Sequence, residues 1–136
     1  MKNKTNLIFT IILAFTMLFT STFLLLGFNP FSLLSSENIT VQQLHNMLNE
    51  DYQFVDIRTA NEYNLGHINE FNVNIDFYQF ENNLSMLNTL DKNKTTVIIC
   101  NSGNRTEIAQ KLMKNYGFKT VYNVLGGIQA WWSVYD

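Results

Sequence analysis

The run TTVII at Thr95–Ile99 constrains the fold of this chain more than any other feature. Its β-branched residues follow one another without the polar alternation of a half-exposed strand, and this pattern is typical of a strand buried on both faces. Such strands occur in the centre of parallel sheets, where helices cover both sides. We therefore expect Thr95–Ile99 to form a central strand of a parallel sheet.

The segments around this run alternate between strand and helix patterns. Short β-branched and aromatic runs at Tyr52–Ile57, Val73–Ile75 and Lys119–Val124 predict three further strands. Apolar residues at helical spacing predict the helices: Val41, Leu44, Met47 and Leu48; Leu84, Leu87 and Leu90; Ile108, Leu112, Met113 and Tyr116; and a last helix with Trp131 and Trp132. This alternation predicts an α/β domain with a central parallel sheet flanked by helices.

Two of the helices have local start signals. Thr40 with Gln43, and Thr59 with Glu62, each fit the capping box, in which the first side chain and the fourth bond reciprocally to backbone N–H groups. We expect one helix to begin after Thr40 and end before Asp51. The other should begin after Thr59 and end near Gly66, where a glycine is a frequent stop.

The segment Leu7–Phe28 has no charged residue and is long enough to span a bilayer. Lys2 and Lys4 precede it, and no Lys or Arg follows before Arg58, so the positive-inside rule predicts a cytoplasmic N-terminus and a domain outside the cytoplasm. A cleaved signal peptide is the alternative, but no clear small-x-small cleavage site follows the run. The predicted organisation is an anchor or signal peptide at 1–28, a linker at 29–36 and the working domain at 37–136.

The composition argues against several kinds of site. A single cysteine forms no internal disulfide, and one cysteine with two histidines matches no metal-ligand spacing. The net charge of -2, without a basic cluster, gives no electrostatic surface for nucleic acid. No glycine-rich nucleotide motif is present in the sequence. We expect neither a metal nor a cofactor.

The segment CNSGNR follows the predicted central strand and contains that cysteine, Cys100. Ligands bind beyond the carboxyl ends of parallel strands, and loop N–H groups at a helix N-terminus stabilise a thiolate. Gly103 lets an anion approach the backbone, Arg105 offers planar donors to an oxyanion, and Asn104 is the predicted helix cap. A buried cysteine is often only a small apolar residue, but Cys, Gly and Arg together at this junction favour a nucleophilic Cys100.

Residues 37–136 resemble a single-domain rhodanese, a member of a sulfurtransferase family. Five segments match the family in the same order and extend over nearly the whole domain. They are ITVQQL, FVDIRTANEY, GHI, IICNSGNRT and NVLGGIQAW. The resemblance implies an α/β fold with a central parallel sheet, which agrees with the alternation above.

The resemblance also implies a reaction. Cys100 would take a sulfane sulfur from a donor such as thiosulfate or a polysulfide, become a persulfide, and pass the sulfur to cyanide or a thiol. The implied substrate-binding loop is Asn101, Ser102, Gly103, Asn104 and Arg105, and the implied supporting residues are Asp56, Arg58 and Thr106.

Several positions need separate interpretation. Asn101 is neutral where family loops often carry a basic residue, which argues against efficient use of the thiosulfate dianion. Asn69 and Glu70 replace the family's usual Pro and Gly after GHI, which predicts a differently shaped segment. We expect Arg58 to pair with an acid such as Glu62. His67 is interpreted as a hydrogen-bonded structural residue, and His45 as helix surface.

Two other functions remain as alternatives. The first is a binding or sulfur-carrier module without turnover, acting with a membrane partner. The second is phosphatase or arsenate reductase activity, since related phosphatases also place a cysteine at an amide-lined loop. Their signature has five residues between Cys and Arg, whereas only Asn101–Asn104 separate Cys100 from Arg105. We therefore expect negligible phosphatase activity.

Overall fold

Five strands form one sheet in the order β1-β5-β4-β2-β3, and every pair is parallel. The computed structural model describes residues 37–135. The strands are β1 Asn38–Ile39, β2 Gln53–Asp56, β3 Val73–Asn74, β4 Thr96–Ile99 and β5 Val121–Val124. All four residues of β4 are buried, and β4 lies between β2 and β5. The predicted central parallel strand is confirmed.

Helices connect the strands and cover both faces of the sheet. Their bounds are α1 Val41–Met47, α2 Ala60–Asn64, α3 Phe77–Phe80, a 3-10 helix at Leu84–Thr89, α4 Asn104–Asn115 and α5 Gly127–Tyr135. Successive residues of β4 point to opposite faces, so Ile98 packs with residues of α3 and α4 while Val97 and Ile99 pack with residues of α1 and α5. The α/β architecture with flanking helices is as predicted.

Both predicted capping boxes are present. The Thr40 and Thr59 side chains accept hydrogen bonds from the N–H groups of Gln43 and Glu62. In return, the Gln43 and Glu62 side chains accept from the N–H groups of Thr40 and Thr59. Both helices end as predicted: α1 ends at Met47, before Asp51, and α2 ends at Asn64, two residues before Gly66.

Two of the predicted helices show details that their sequence patterns did not specify. The helix predicted from Ile108, Leu112, Met113 and Tyr116 is present as α4, which buries Thr106, Ala109 and Met113 and leaves Ile108 52% exposed. The segment with Leu84, Leu87 and Leu90 is a 3-10 helix, since a spacing of three aligns side chains in that geometry. The strand β1 and the short helix α3 were not predicted.

The predicted anchor at 7–28 and the linker at 29–36 lie outside the described residues, so both stay predictions. Within residues 37–135, no helix has the length and apolar character needed to cross a membrane.

Candidate functional site

Cys100 directly follows β4 and is 1% exposed. Its Sγ accepts a hydrogen bond from the Gly103 N–H at 3.1 Å and lies 3.6 Å from the Thr106 Oγ1. The Thr106 hydroxyl donates its single proton to the Gly103 carbonyl at 2.8 Å. It therefore accepts in the contact with sulfur, and the neutral thiol is the donor there.

The start of α5 fixes the orientation of the loop after β4. The N–H groups of Ile128 and Gln129 donate to the carbonyls of Cys100 and Asn101 at 2.8 and 3.1 Å. These bonds engage the Cys100 and Asn101 carbonyls with α5. The N–H groups of the loop take no part in them. Across residues 37–135, no acceptor is found for the N–H groups of four loop residues, namely Asn101, Ser102, Asn104 and Arg105. A set of unengaged N–H groups at a helix N-terminus is a binding site for an anion.

Two glycines allow this close approach. A Cβ on Gly127, whose φ is +60°, would lie 2.5 Å from the Cys100 carbonyl oxygen. A Cβ on Gly103 would lie 3.2 Å from the Gly126 nitrogen, and Gly103 has a left-handed φ of +99°. Gly103 itself is the N-cap of α4, and Asn104 is the first helical residue. The predicted cap at Asn104 is therefore wrong, because the left-handed glycine turns the chain into the helix one residue earlier.

Arg105 binds Glu62 through two hydrogen bonds. Its Nη1 and Nη2 donate to the Glu62 Oε2 and Oε1 at 2.9 and 2.7 Å. The Arg105 guanidinium also lies 5.6 Å from the centre of the Tyr78 ring. The hydrogen bonds from Arg105 lower the pKa of the Glu62 carboxyl from 4.5 to about 2, and the carboxylate raises the pKa of Arg105. Arg105 is therefore half of an ion pair rather than an unpaired positive charge.

Arg58 pairs with an acid, as expected, but the acid is Asp56 and not Glu62. The Arg58 Nε and Nη2 donate to the Asp56 Oδ2 at 2.9 and 2.7 Å, and both side chains are buried. The Nη2 also donates to the Gly66 carbonyl at 2.7 Å. Asp56 pairs in register with Ile99, the residue before Cys100. The Asp56–Arg58 pair thus supports the strand beside β4 and does not contact the sulfur.

The sequence did not indicate that Glu62 belongs to this site. Its carboxylate still caps α2, accepting from the Thr59 N–H at 3.0 Å, but it also binds Arg105 from another element. His67 stacks on Tyr63 at 3.9 Å between ring centres and its Nδ1 lies 3.2 Å from the Tyr63 carbonyl oxygen, as expected for a structural residue.

In the part of the chain that the structure describes, no group of three or more His, Cys, Asp or Glu side chains has a geometry that would hold a metal ion.

The sequence profile of the rhodanese-like domain family matches residues 40–134, and the chain belongs to this family. It is 33% identical over 99 residues to the thiosulfate sulfurtransferase GlpE of Shewanella oneidensis, covering 71% of this chain and 93% of that protein. A solved rhodanese-like domain protein from Staphylococcus aureus has 32% identity and a TM-score of 0.61, with 71% of this chain and 91% of that one covered.

The adenylyltransferase and sulfurtransferase UBA4 of Debaryomyces hansenii is 34% identical over 112 residues. That match covers 76% of this chain but only 25% of the yeast protein. The chain thus corresponds to a part of some relatives and to nearly the whole of others.

Proposed function

We propose that this rhodanese-like domain is a sulfurtransferase in which Cys100 carries the transferred sulfur atom as a persulfide. The donor is a small sulfur-containing anion such as thiosulfate or a polysulfide, and the acceptor is cyanide or a thiol. The observation that carries the proposal is the hydrogen bond from the Gly103 N–H to the Cys100 Sγ at 3.1 Å, within a loop of unengaged N–H groups. Similarity to a thiosulfate sulfurtransferase supports the same reaction.

The reaction has two steps at one sulfur atom. With thiosulfate, the Cys100 thiolate attacks the sulfane sulfur, an Sγ–S bond forms, and sulfite leaves with the electron pair of the broken S–S bond. Cyanide then attacks the outer sulfur, thiocyanate leaves, and the thiolate is restored. The thiol proton passes to solvent before the first step, and the reaction requires no cofactor.

The loop is suited to the charge that these steps place on sulfur. The outer sulfur of the persulfide is negative, and N–H groups that already point at an anion stabilise it without reorganisation. The Gly103 N–H would remain a donor to Sγ when the thiol ionises. The Thr106 hydroxyl, 3.6 Å from Sγ, can turn to donate to the thiolate. In this role Gly103 and Thr106 stabilise the nucleophile directly.

The test is thiocyanate production by the full chain, purified in detergent and supplied with a sulfur donor and cyanide. We expect turnover by the wild type and none by Cys100→Ser, which keeps the size of the side chain but removes the thiol. Equal rates for the two proteins would overturn the proposal. Hydrolysis of an aryl phosphate, measured on the same samples, should be negligible.

One observation favours a second candidate, a binding or sulfur-carrier module that works with a membrane partner. Cys100 is 1% exposed, which restricts the approach of a donor to its sulfur. A protein that accepts one sulfur atom but gives no turnover with cyanide or small thiols would fit this candidate.

For location, we propose that residues 7–28 anchor the chain in a membrane with the domain outside the cytoplasm. The support is the uncharged apolar run with Lys2 and Lys4 before it. Protease added to intact cells should then digest the domain, and the undigested chain should be full-length in the membrane fraction. A shortened chain in the medium would instead indicate a cleaved signal peptide, and a full-length soluble chain would contradict both.

A further inference from the structure

We propose that Glu62 is a specificity-determining residue for the sulfur donor. By neutralising Arg105, it makes the Cys100 loop prefer donors with one negative charge, such as the persulfide of a low-molecular-weight thiol, over the thiosulfate dianion. This inference rests on the proposed sulfurtransferase function and concerns only the choice between donors.

Arg105 is the only cation of the Cys100–Arg105 loop, and its ion pair with Glu62 keeps it from binding an anion there. Both terminal nitrogens of Arg105 donate to Glu62, and its side chain is 15% exposed. Glu62 is in turn held by the Thr59 N–H and hydroxyl. The guanidinium is therefore fixed on a carboxylate that is already anchored by its own helix cap. A pKa of about 2 for Glu62 means that the carboxylate stays ionised at neutral pH.

The remaining cations do not replace Arg105. Arg58 is paired with Asp56, Lys94 with Asp51, Lys111 with Glu107 and Lys114 with Glu37. Among the described residues, this leaves two lysines without a carboxylate partner, Lys92 and Lys119, and the Lys119 N–H donates to the Lys92 carbonyl.

Those two lysines lie before the strands β4 and β5, whereas Cys100 follows β4. A four-residue strand separates its two ends by about 13 Å. This exceeds the Debye length of about 8 Å at physiological ionic strength, so their charges are screened at the loop. A donor at Cys100 consequently meets N–H groups but no unpaired cation among residues 37–135.

The charge of the donor decides how well such a site can hold it. A dianion loses more hydration than a monoanion when it enters, and neutral N–H groups compensate less of that loss than an arginine would. With a persulfide, the Cys100 thiolate attacks the outer sulfur, an Sγ–S bond forms, and the donor thiolate leaves with the electron pair. Two negative charges then meet in the loop, one on the thiolate and one on the donor, whereas thiosulfate would bring the total to three. The neutral Asn101 beside Cys100 is consistent with this preference.

The experiment compares kcat/KM for thiosulfate and for the persulfide of 2-mercaptoethanol, whose only charge is on the persulfide, in the full chain. We expect Glu62→Gln to raise the thiosulfate-to-persulfide ratio by about tenfold, because one charge near an anion has an effect of this order in a partly exposed site. Glutamine still serves at the N3 position of a capping box, so α2 should keep its start. Glu107→Gln is the matched control, since it removes the same charge from a carboxylate that binds Lys111, and it should leave the ratio unchanged.

Two further measurements separate this role from a structural one. In an Arg105→Gln background, Glu62→Gln should no longer change the ratio, because the effect acts through Arg105. In the wild type, kcat/KM for thiosulfate should fall less than about twofold from low to high salt, since the loop presents no unpaired cation whose attraction salt could screen. This second measurement needs no variant and is independent of folding.

The outcomes are distinct. An unchanged ratio in Glu62→Gln, or a steep fall of wild-type thiosulfate activity with salt, would overturn the role of Glu62 while leaving the sulfurtransferase proposal intact. Failure of the wild type with both donors would overturn the sulfurtransferase proposal, and the inference with it.

Discussion

The Ile128 N–H donates a hydrogen bond to the Cys100 carbonyl at 2.8 Å, so the first turn of the last helix holds the residue that carries the thiol. Gln129 binds the next carbonyl, that of Asn101, in the same way. The loop and α5 therefore act as one rigid unit, and the glycine that precedes Ile128 sets how closely they pack.

Gly127→Ala should disrupt this unit. A Cβ there would lie 2.5 Å from the Cys100 carbonyl oxygen, and the left-handed φ of +60° adds backbone strain of about 1 kcal/mol or more. We expect a lower melting temperature and loss of sulfur loading. Gly117→Ala is the control, because it has a comparable φ of +102° but its nearest neighbour is a lysine side chain at 3.8 Å. It should lose stability and keep sulfur loading, and normal loading by Gly127→Ala would contradict the account.

Removing one partner of the buried Asp56–Arg58 pair should strongly destabilise the domain. Arg58→Met leaves the Asp56 carboxylate buried without its partner, which costs about 3–5 kcal/mol in comparable cases. Urea unfolding measures the change. Lys111→Met breaks an exposed pair with Glu107 and should cost less than about 1 kcal/mol. If Arg58→Met and Lys111→Met lower the free energy of unfolding by similar amounts, burial does not explain the contribution of the Asp56–Arg58 pair to stability.

The Glu62–Arg105 pair should make stability depend on pH in a defined window. The pKa of Glu62 falls from 4.5 to about 2 on folding, so its contribution is complete above about pH 4.5 and is lost as the pH falls towards 2. The stability difference between the wild type and Glu62→Gln should be constant above this window and shrink within it. Thermal unfolding of both proteins across this range provides the measurement, and a difference that does not shrink would contradict the assigned pKa.

The Thr106 hydroxyl should matter for both the loop and the sulfur. Thr106→Val keeps the shape of the side chain but removes the donor to the Gly103 carbonyl, with an expected loss of about 1 kcal/mol in stability. It should also slow sulfur loading, because the hydroxyl can no longer donate to the thiolate. Thr106→Ser retains the hydroxyl and should load sulfur at nearly the wild-type rate. A Val variant as fast as the Ser variant would exclude this role.

The features that the sequence predicted correctly depend on local or periodic patterns. The capping boxes at Thr40 and Thr59 involve residues three apart, and the buried strand before Cys100 has a simple apolar pattern. Such local signals are sufficient to predict the order of strands and helices along the chain. They also locate the thiol at the carboxyl edge of the sheet.

The features that the sequence missed are contacts between distant segments. Glu62 has a complete local role as a helix cap, so nothing in the sequence indicated its bond to Arg105, 43 positions away. His45 is exposed, as predicted for helix surface, but its stacking on Tyr135 of the last helix, at 4.6 Å between ring centres, was not indicated. The misplaced cap at Asn104 has a different cause, since Gly103 has no side chain to signal that it begins the helix.

The most direct test of the central claim is the intact mass of the full chain before and after exposure to thiosulfate or glutathione persulfide, with Cys100→Ser treated in parallel. The account predicts that the wild type alone gains one sulfur atom and that cyanide or a thiol then removes it. No gain from either donor, or an equal gain by Cys100→Ser, would contradict the claim that Cys100 carries the sulfur.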